Sequence, residues 1–159
     1  MLIRPARAEE ASTLAALAVR SKGYWPYSAA FLKRFERTLA LTPEVVAAND
    51  VLVAERDGEV SGFYVLLHRD ALAVLDDLWL DPAEIGHGCG RELFEHAAAR
   101  AAARGARVLE WEAEPYAVGF YERMGGETVA WVDSPLGRRL PVMRLELPER
   151  GPEGSAATP

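Results

Sequence analysis

Between residues 80 and 91 the chain reads Leu80-Asp81-Pro82-Ala83-Glu84-Ile85-Gly86-His87-Gly88-Cys89-Gly90-Arg91, three alternating glycines at the entrance to an amphipathic stretch. A strand that ends at Asp81-Pro82 and turns through these glycines into a helix presents several free backbone N–H groups at the helix's positive end. That setting suits a diphosphate. Glycine keeps side chains from holding the phosphate off the amides, and it permits positive φ in the turn. A nucleotide P-loop is excluded, because no Gly-Lys-Ser or Gly-Lys-Thr follows. The dinucleotide fingerprint G-x-G-x-x-G lacks its third glycine, since Arg91 and Leu93 stand where it would fall, although Glu110 lies at about the distance expected of a ribose-binding acid. A glycine-rich turn with no ligand is the third reading.

Carboxylates are the next candidates. Asp76 and Asp77 sit in the middle of a β-rich run, where acids are unusual unless one faces a wet cleft. Successive strand residues face opposite ways, so at most one should enter such a cleft unless a bulge intervenes. Glu112 and Glu114 close the following run and are alternatives, each equally readable as a surface carboxylate. Trp25 and Tyr27, in Ser21-Lys22-Gly23-Tyr24-Trp25-Pro26-Tyr27, could grip an amine or an apolar body, or could pin a loop to the core. His68, His87 and His96 are scattered, so no metal site is expected. Cys89 is the only cysteine, which rules out an intramolecular disulfide; without a histidine partner it reads as filler rather than a nucleophile.

These residues need elements to position them. Leu2-Ile3-Arg4-Pro5 reads as a strand, and Ala8–Arg20 as a helix with Ala11, Leu14, Leu17 and Ala18 on one face. Ser28 should cap a second helix carrying Phe31, Leu32, Phe35 and Leu39, and Thr42-Pro43 a short third. Val51–Arg56 and Glu59–Leu67 form a hairpin around Asp57-Gly58, a pair suited to a two-residue turn. Ala71–Leu80 is a strand, the glycines open a helix running to Arg104, and Gly105 stops it. Val108–Glu112 is a strand and Ala117–Met124 a short helix, with Glu127–Asp133 and Leu140–Leu147 as a closing antiparallel pair. Within the long helix Leu93, Phe94, Ala97, Ala98 and Ala101 share the packed face, and Arg91, Glu92, Glu95, His96 and Arg100 should point to solvent. Residues 148–159 have no apolar face to bury and are expected to be a disordered tail to a single domain over 1–147.

The whole is 159 residues, 50% hydrophobic, with net charge −6. That is enough for a core without staples, and it argues against nucleic acid as a partner. No apolar run is long enough to span a bilayer, and a cytoplasmic protein is expected, with no membrane partner.

Leu78-Trp79-Leu80-Asp81-Pro82-x-x-Ile85-Gly86-His87-Gly88-Cys89-Gly90-Arg91-x-Leu93-Phe94 resembles the central acetyl-CoA motif of the GNAT superfamily of N-acetyltransferases, with Ile85 where Arg or Gln is usual. Glu114-Pro115-Tyr116-Ala117-x-Gly119-Phe120-Tyr121-Glu122-Arg123-Met124-Gly125 is similar to a later segment of the same family, with Glu114 in place of asparagine and Gly126 in place of phenylalanine. Ile3-Arg4-Pro5-Ala6 and the hairpin text fit it too, so the likeness covers residues 1 to about 147. The resemblance implies an α/β GNAT fold: a twisted mixed sheet of six to seven strands, flanking helices, and acetyl-CoA lodged where the Leu80 and Val108 strands splay apart. It implies contacts to acetyl-CoA from Leu78, Trp79, Leu80, from Ile85 through Arg91, and from Glu114, Phe120 and Tyr121. A homodimer is compatible with it.

The implied reaction is acetyl transfer to an amine by direct attack in a ternary complex. An alkyl ammonium near pKa 10.4 costs roughly 4–5 kcal/mol to deprotonate at pH 7, so a base or water relay helps. Asp76 or Asp77 is the candidate, with Glu112 and Glu114 as alternatives. The resemblance implies a backbone N–H at the Leu78-Trp79-Leu80 strand end for the oxyanion, and Tyr121 beside the CoA sulfur. Trp25, Tyr27 and Glu112 would meet the acceptor. Arg138, in the last hairpin, would face either a substrate carboxylate or the nucleotide end of CoA. The competing reading is a catalytically silent CoA-binding sensor or interaction module of the same fold.

Overall fold

A computed structural model describes residues 1–149; residues 150–159 of the expected tail lie outside the described residues. Seven strands form one mixed sheet: β1 (Leu2–Pro5), β2 (Asp50–Arg56), β3 (Glu59–Arg69), β4 (Leu72–Leu80), β5 (Val108–Glu112), β6 (Glu127–Asp133) and β7 (Arg139–Glu146), in the order β1-β2-β3-β4-β5-β7-β6. Among the described residues five α-helices accompany them: α1 (Ala11–Lys22), α2 (Ala29–Thr38), α3 (Pro43–Ala48), α4 (Cys89–Ala103) and α5 (Val118–Arg123). This is the α/β architecture that the motifs imply. Among the described residues no helix is long and apolar enough to cross a membrane.

Local chemistry sets the boundaries. Ser28 Oγ accepts from Phe31 N–H at 3.1 Å and Thr42 Oγ1 from Val45 N–H at 3.2 Å, so α2 and α3 start where the caps lie. Asp57 and Gly58 have φ of 52° and 82°, the left-handed pair that a two-residue hairpin turn requires. The first helix departs from the sequence reading at both ends. Ala8–Glu10 form a tight single turn, where Glu10 accepts from Arg7 N–H at 2.7 Å and pairs with Arg4. At its other end α1 continues through Ser21 and Lys22.

Alternation on β2 and β3 sorts the core into two layers. Val51, Val53, Phe63 and Val65 pack against Ala11, Leu14, Leu17 and Ala18 of α1. On the other face Leu52, Ala54, Tyr64 and Leu66 meet Leu93, Phe94, Ala97 and Ala101 of α4. His96 is not free on the solvent side of α4 as the helical pattern suggests: its Nδ1 lies 2.9 Å from Tyr64 Oη.

Two irregularities mark β4. Val65 faces Asp77 across the β3–β4 ladder while the next residue, Leu66, faces Leu75, so Asp76 is an extra residue, a β-bulge. Its effect is visible in packing: Leu75 and Leu78, three apart, both join the α4-side cluster, which an unbroken strand would forbid. The second irregularity is a split. β4 and β5 run parallel and pair only at Leu72–Val108, Ala73–Leu109 and Val74–Glu110, after which β4 goes on alone to Leu80.

Candidate active site

Beyond Val74 one edge of β4 has no strand beside it. Asp81 N–H donates to Ser61 carbonyl on the β3 side at 2.9 Å. By antiparallel alternation Trp79 and Asp77 also bond toward β3, so the N–H groups of Leu78 and Leu80 point to the open edge. Leu80 N–H is taken by Ser21 Oγ at 3.3 Å. Leu78 N–H is left aimed into the split.

Below β4, Asp81 Oδ1 accepts from Ala83 N–H at 3.0 Å and starts one turn over Pro82–Glu84, which delivers the chain to the glycines. Gly86 and Gly88 have φ of 84° and 88°, and a Cβ on either would meet nothing within 4 Å. The backbone shape demands glycine here, and the space beside it is open. Gly90 is glycine for another reason: a Cβ would lie 3.2 Å from Leu80 Cδ1 and 3.4 Å from Phe120 Cζ, so its absence seats the first turn of α4 against β4. The first helical bond outside that turn is Glu92 N–H to Gly88 carbonyl at 3.1 Å, and the N–H groups of Cys89, Gly90 and Arg91 have no partner within the helix. His87 N–H turns back to Glu84 carbonyl at 3.3 Å and its side chain is exposed. Cys89 is buried in the α4-side core, where burial pushes its thiol up, the opposite of a reactive thiolate.

A cavity of about 620 Å³ opens over these amides, running from Gly86, Gly88, Gly90 and Arg91 past Leu78 and Phe120 to Tyr121. Ile85, Trp79, Leu80 and Glu114 line it as well, as do Trp25 and Glu112. Tyr121 is buried against Trp111, Phe120 and Phe94 at ring distances of 5.0, 5.1 and 5.8 Å. Burial, with help from Glu114 and Asp77, raises its phenol well above the usual tyrosine range. Trp111 also accounts for Gly126, since a Cβ there would come within 2.8 Å of the indole. The space that a larger residue 126 would claim belongs to Trp111.

A second cavity, of about 530 Å³, lies on the α1–α2 side of the sheet under the β6–β7 connection. The two share Leu75, Asp76, Asp77, Trp79, Trp111, Glu112 and Glu114, so they meet through the split in the sheet. The bulge lets Asp76 and Asp77 both reach this junction. Asp76 is exposed, whereas Asp77 accepts from Trp79 Nε1–H at 2.7 Å, and burial pushes its carboxyl up to about 7 against that hydrogen bond, with the neighbouring Asp76 adding to the rise.

Glu114 binds partners that the sequence alone does not pair with it. Lys22 Nζ and Tyr27 Oη both donate to its carboxylate, and an Arg138 guanidinium nitrogen stands 3.8 Å away. Arg138 also donates to Tyr27 Oη. Lys22 is buried among the rings of Tyr27, Phe35 and Trp79 at 5.1, 5.1 and 5.5 Å. Tyr27 stacks on Phe31 at 4.3 Å, and Trp25 stacks on Tyr116 at 5.4 Å at the rim of the first cavity. Ser21 and Lys22 had a signal in the sequence, because they fall one helical turn after Leu17 and Ala18 and so continue the buried stripe. Among the described residues no cluster of three or more His, Cys, Asp or Glu could hold a metal ion.

The model of the Acetyltransferase (GNAT) family matches residues 14–126, and the chain belongs to that family. No curated protein sequence matches it. Among solved structures it is similar to a GCN5-related N-acetyltransferase from Rhodopseudomonas palustris, with a TM-score of 0.79 and 24% identity over 92% of this chain and 95% of that one. It is also similar to the PaiA N-acetyltransferase of Thermoplasma acidophilum, solved in complex with coenzyme A: TM-score 0.77, 19% identity, 91% of this chain and 98% of that one. The ribosomal-protein-S18-alanine N-acetyltransferase of Escherichia coli gives 0.70 and 19%, covering 96% and 97%. At these identities the likeness establishes the fold, which is the GNAT fold.

Proposed function

We propose that the protein transfers an acetyl group from acetyl-CoA to a primary amine by direct attack within a ternary complex. The observation that carries this reading is the junction of two cavities through the split sheet, with Tyr121 on the glycine-loop side and Asp77 held near neutrality beside it. The donor cavity fits a diphosphate-bearing cosubstrate because its floor is the open-sided loop at Gly86 and Gly88 followed by unpaired amides of α4. PaiA, with the same fold, is described with coenzyme A. When bound, acetyl-CoA supplies an activated thioester.

This chain's own residues do the rest. Leu78 N–H, directed into the split, stabilises the charge that develops on the carbonyl oxygen. Asp77 takes the proton that the attacking amine sheds, directly or through a water. A carboxyl titrating at about 7 is a far better match for that task than an ordinary carboxylate near 4. As the carbon–sulfur bond breaks, Tyr121 donates a hydrogen bond to the departing thiolate. Its raised pKa makes full proton transfer uphill, so hydrogen bonding is its main contribution. Ser21 keeps Leu80 N–H occupied, which leaves Leu78 as the donor facing the reaction.

The test is release of free CoA thiol from acetyl-CoA with a panel of primary amines, with acetylated product followed by mass spectrometry. Amine-dependent release in step with product supports the reading. CoA binding with no amine-dependent thiol release would replace it with a sensor of the same fold.

A further inference from the structure

The second cavity, which the acetyl-transfer reading gives to the acceptor, is electrostatically unmatched at both ends. At the split lie Asp76, Asp77 and Glu112, for which the described residues provide no ion pair, whereas Glu110 farther along β5 is paired with Arg144 at 2.6 Å. A few residues away the imbalance reverses, because Lys22 and Arg138 share a single carboxylate, Glu114. Burial pulls the Lys22 ammonium below its usual range, and the charge of Arg138 adds to that effect. Arg138 lies over the rings of Tyr27 and Phe31 at 4.9 and 5.0 Å, and its Nε is buried with no hydrogen-bond partner among the described residues. The guanidinium as a whole is only half-buried and borders this cavity, so a second anion arriving there would balance the two cations that Glu114 alone now serves. Arg138 lines the acceptor cavity and not the donor cavity, so the nucleotide end of CoA is not its target.

We propose that the acceptor is a zwitterion, an amino acid with an apolar side chain, whose carboxylate pairs with the cavity-facing part of the Arg138 guanidinium beside Lys22 while its amino group is delivered to the carboxylates at the split. This rests on the acetyl-transfer reading and extends it to the substrate class. The remaining walls agree with it: Phe35, Leu39, Leu41, Val65 and Leu67 offer an apolar lining for the side chain. A simple alkylamine would bring no anion to Lys22 and Arg138. A polyamine would also bring further positive charge to the Lys22–Arg138 pair. An amino-acid amide keeps the amine and the side chain but presents no anion.

The experiment compares kcat/KM for L-leucine, L-leucinamide and isopentylamine with the wild-type enzyme, and repeats the comparison with Arg138→Gln and Arg138→Lys. L-leucine is expected to exceed both analogues by about 10- to 100-fold, the worth of one charge-assisted hydrogen bond to a carboxylate. That preference should collapse toward one in Arg138→Gln and be partly kept in Arg138→Lys. If isopentylamine or leucinamide is acetylated as well as leucine, the substrate class is wrong while the acetyltransferase stands. If no amine of any kind is acetylated although CoA binds, the acetyl-transfer reading itself has failed and this inference falls with it.

Discussion

Asp77→Asn should make the protein a poorer enzyme and a more stable fold. The carboxyl is raised from an ordinary 3.8 to about 7, chiefly by burial. Between about pH 4 and 7 the folded protein therefore keeps a proton that the unfolded chain has released, so stability falls as pH rises through that window and stays low above it. At about 1.4 kcal/mol per pH unit the full penalty is at most about 4 kcal/mol, and the cavity at the carboxylate's side reduces it to roughly 2–4. Asparagine retains an acceptor for Trp79 Nε1–H and carries no charge to desolvate. Thermal unfolding should show the variant level with the wild type at pH 4 and above it by roughly 5–12 °C at pH 8. Meanwhile kcat/KM should drop about 100-fold or more at neutral pH, and the wild type's loss of activity below about pH 7 should be missing from the variant's profile. A gap in melting temperature that is independent of pH would refute the burial argument. Undiminished activity would remove Asp77 as the base.

Tyr121→Phe keeps the ring packed against Trp111 and removes only the hydroxyl, so kcat is expected to fall about 10- to 100-fold while calorimetric affinity for CoA stays within about twofold; an equal loss in both would mean a packing role. Gly88→Ala places a Cβ at φ of 88°, a conformation costing about 1–2 kcal/mol, and should weaken CoA binding about tenfold by reshaping the loop, with unchanged affinity counting against the backbone-amide grip.

The fold was largely legible because its signals are local. Asp57-Gly58, Ser28, Thr42-Pro43 and Gly105 each act on a neighbouring backbone group, and each ends or starts an element where its chemistry demands. That the glycines and the Leu78–Leu80 strand end line one cavity was legible for the same reason, since they are nearly consecutive in the chain. The surroundings of the second cavity were not. Lys22, Glu114 and Arg138 are drawn together from three distant segments, and nothing in the spacing of 22, 114 and 138 announces an ion cluster. The bulge was hidden for a related reason: it becomes visible only when Leu75 and Leu78 are seen on one face, which requires knowing their partners on β3. Ser21 and Lys22 read as loop because two polar residues break the apolar stripe, yet the stripe simply continued with a serine bonded to Leu80 and a lysine bonded to Glu114.

The split in the sheet gives the molecule the plan of a tuning fork. Its handle is the short parallel ladder from Leu72–Val108 to Val74–Glu110, and its prongs are the free lengths of β4 and β5. Across the open tips the described residues place one charged clasp: Lys22 from the helix that packs on the first prong, gripping Glu114 and, through it, Arg138 from beyond the second. The gap between the prongs is thus bounded by backbone at one end and by a cluster of side-chain charges at the other.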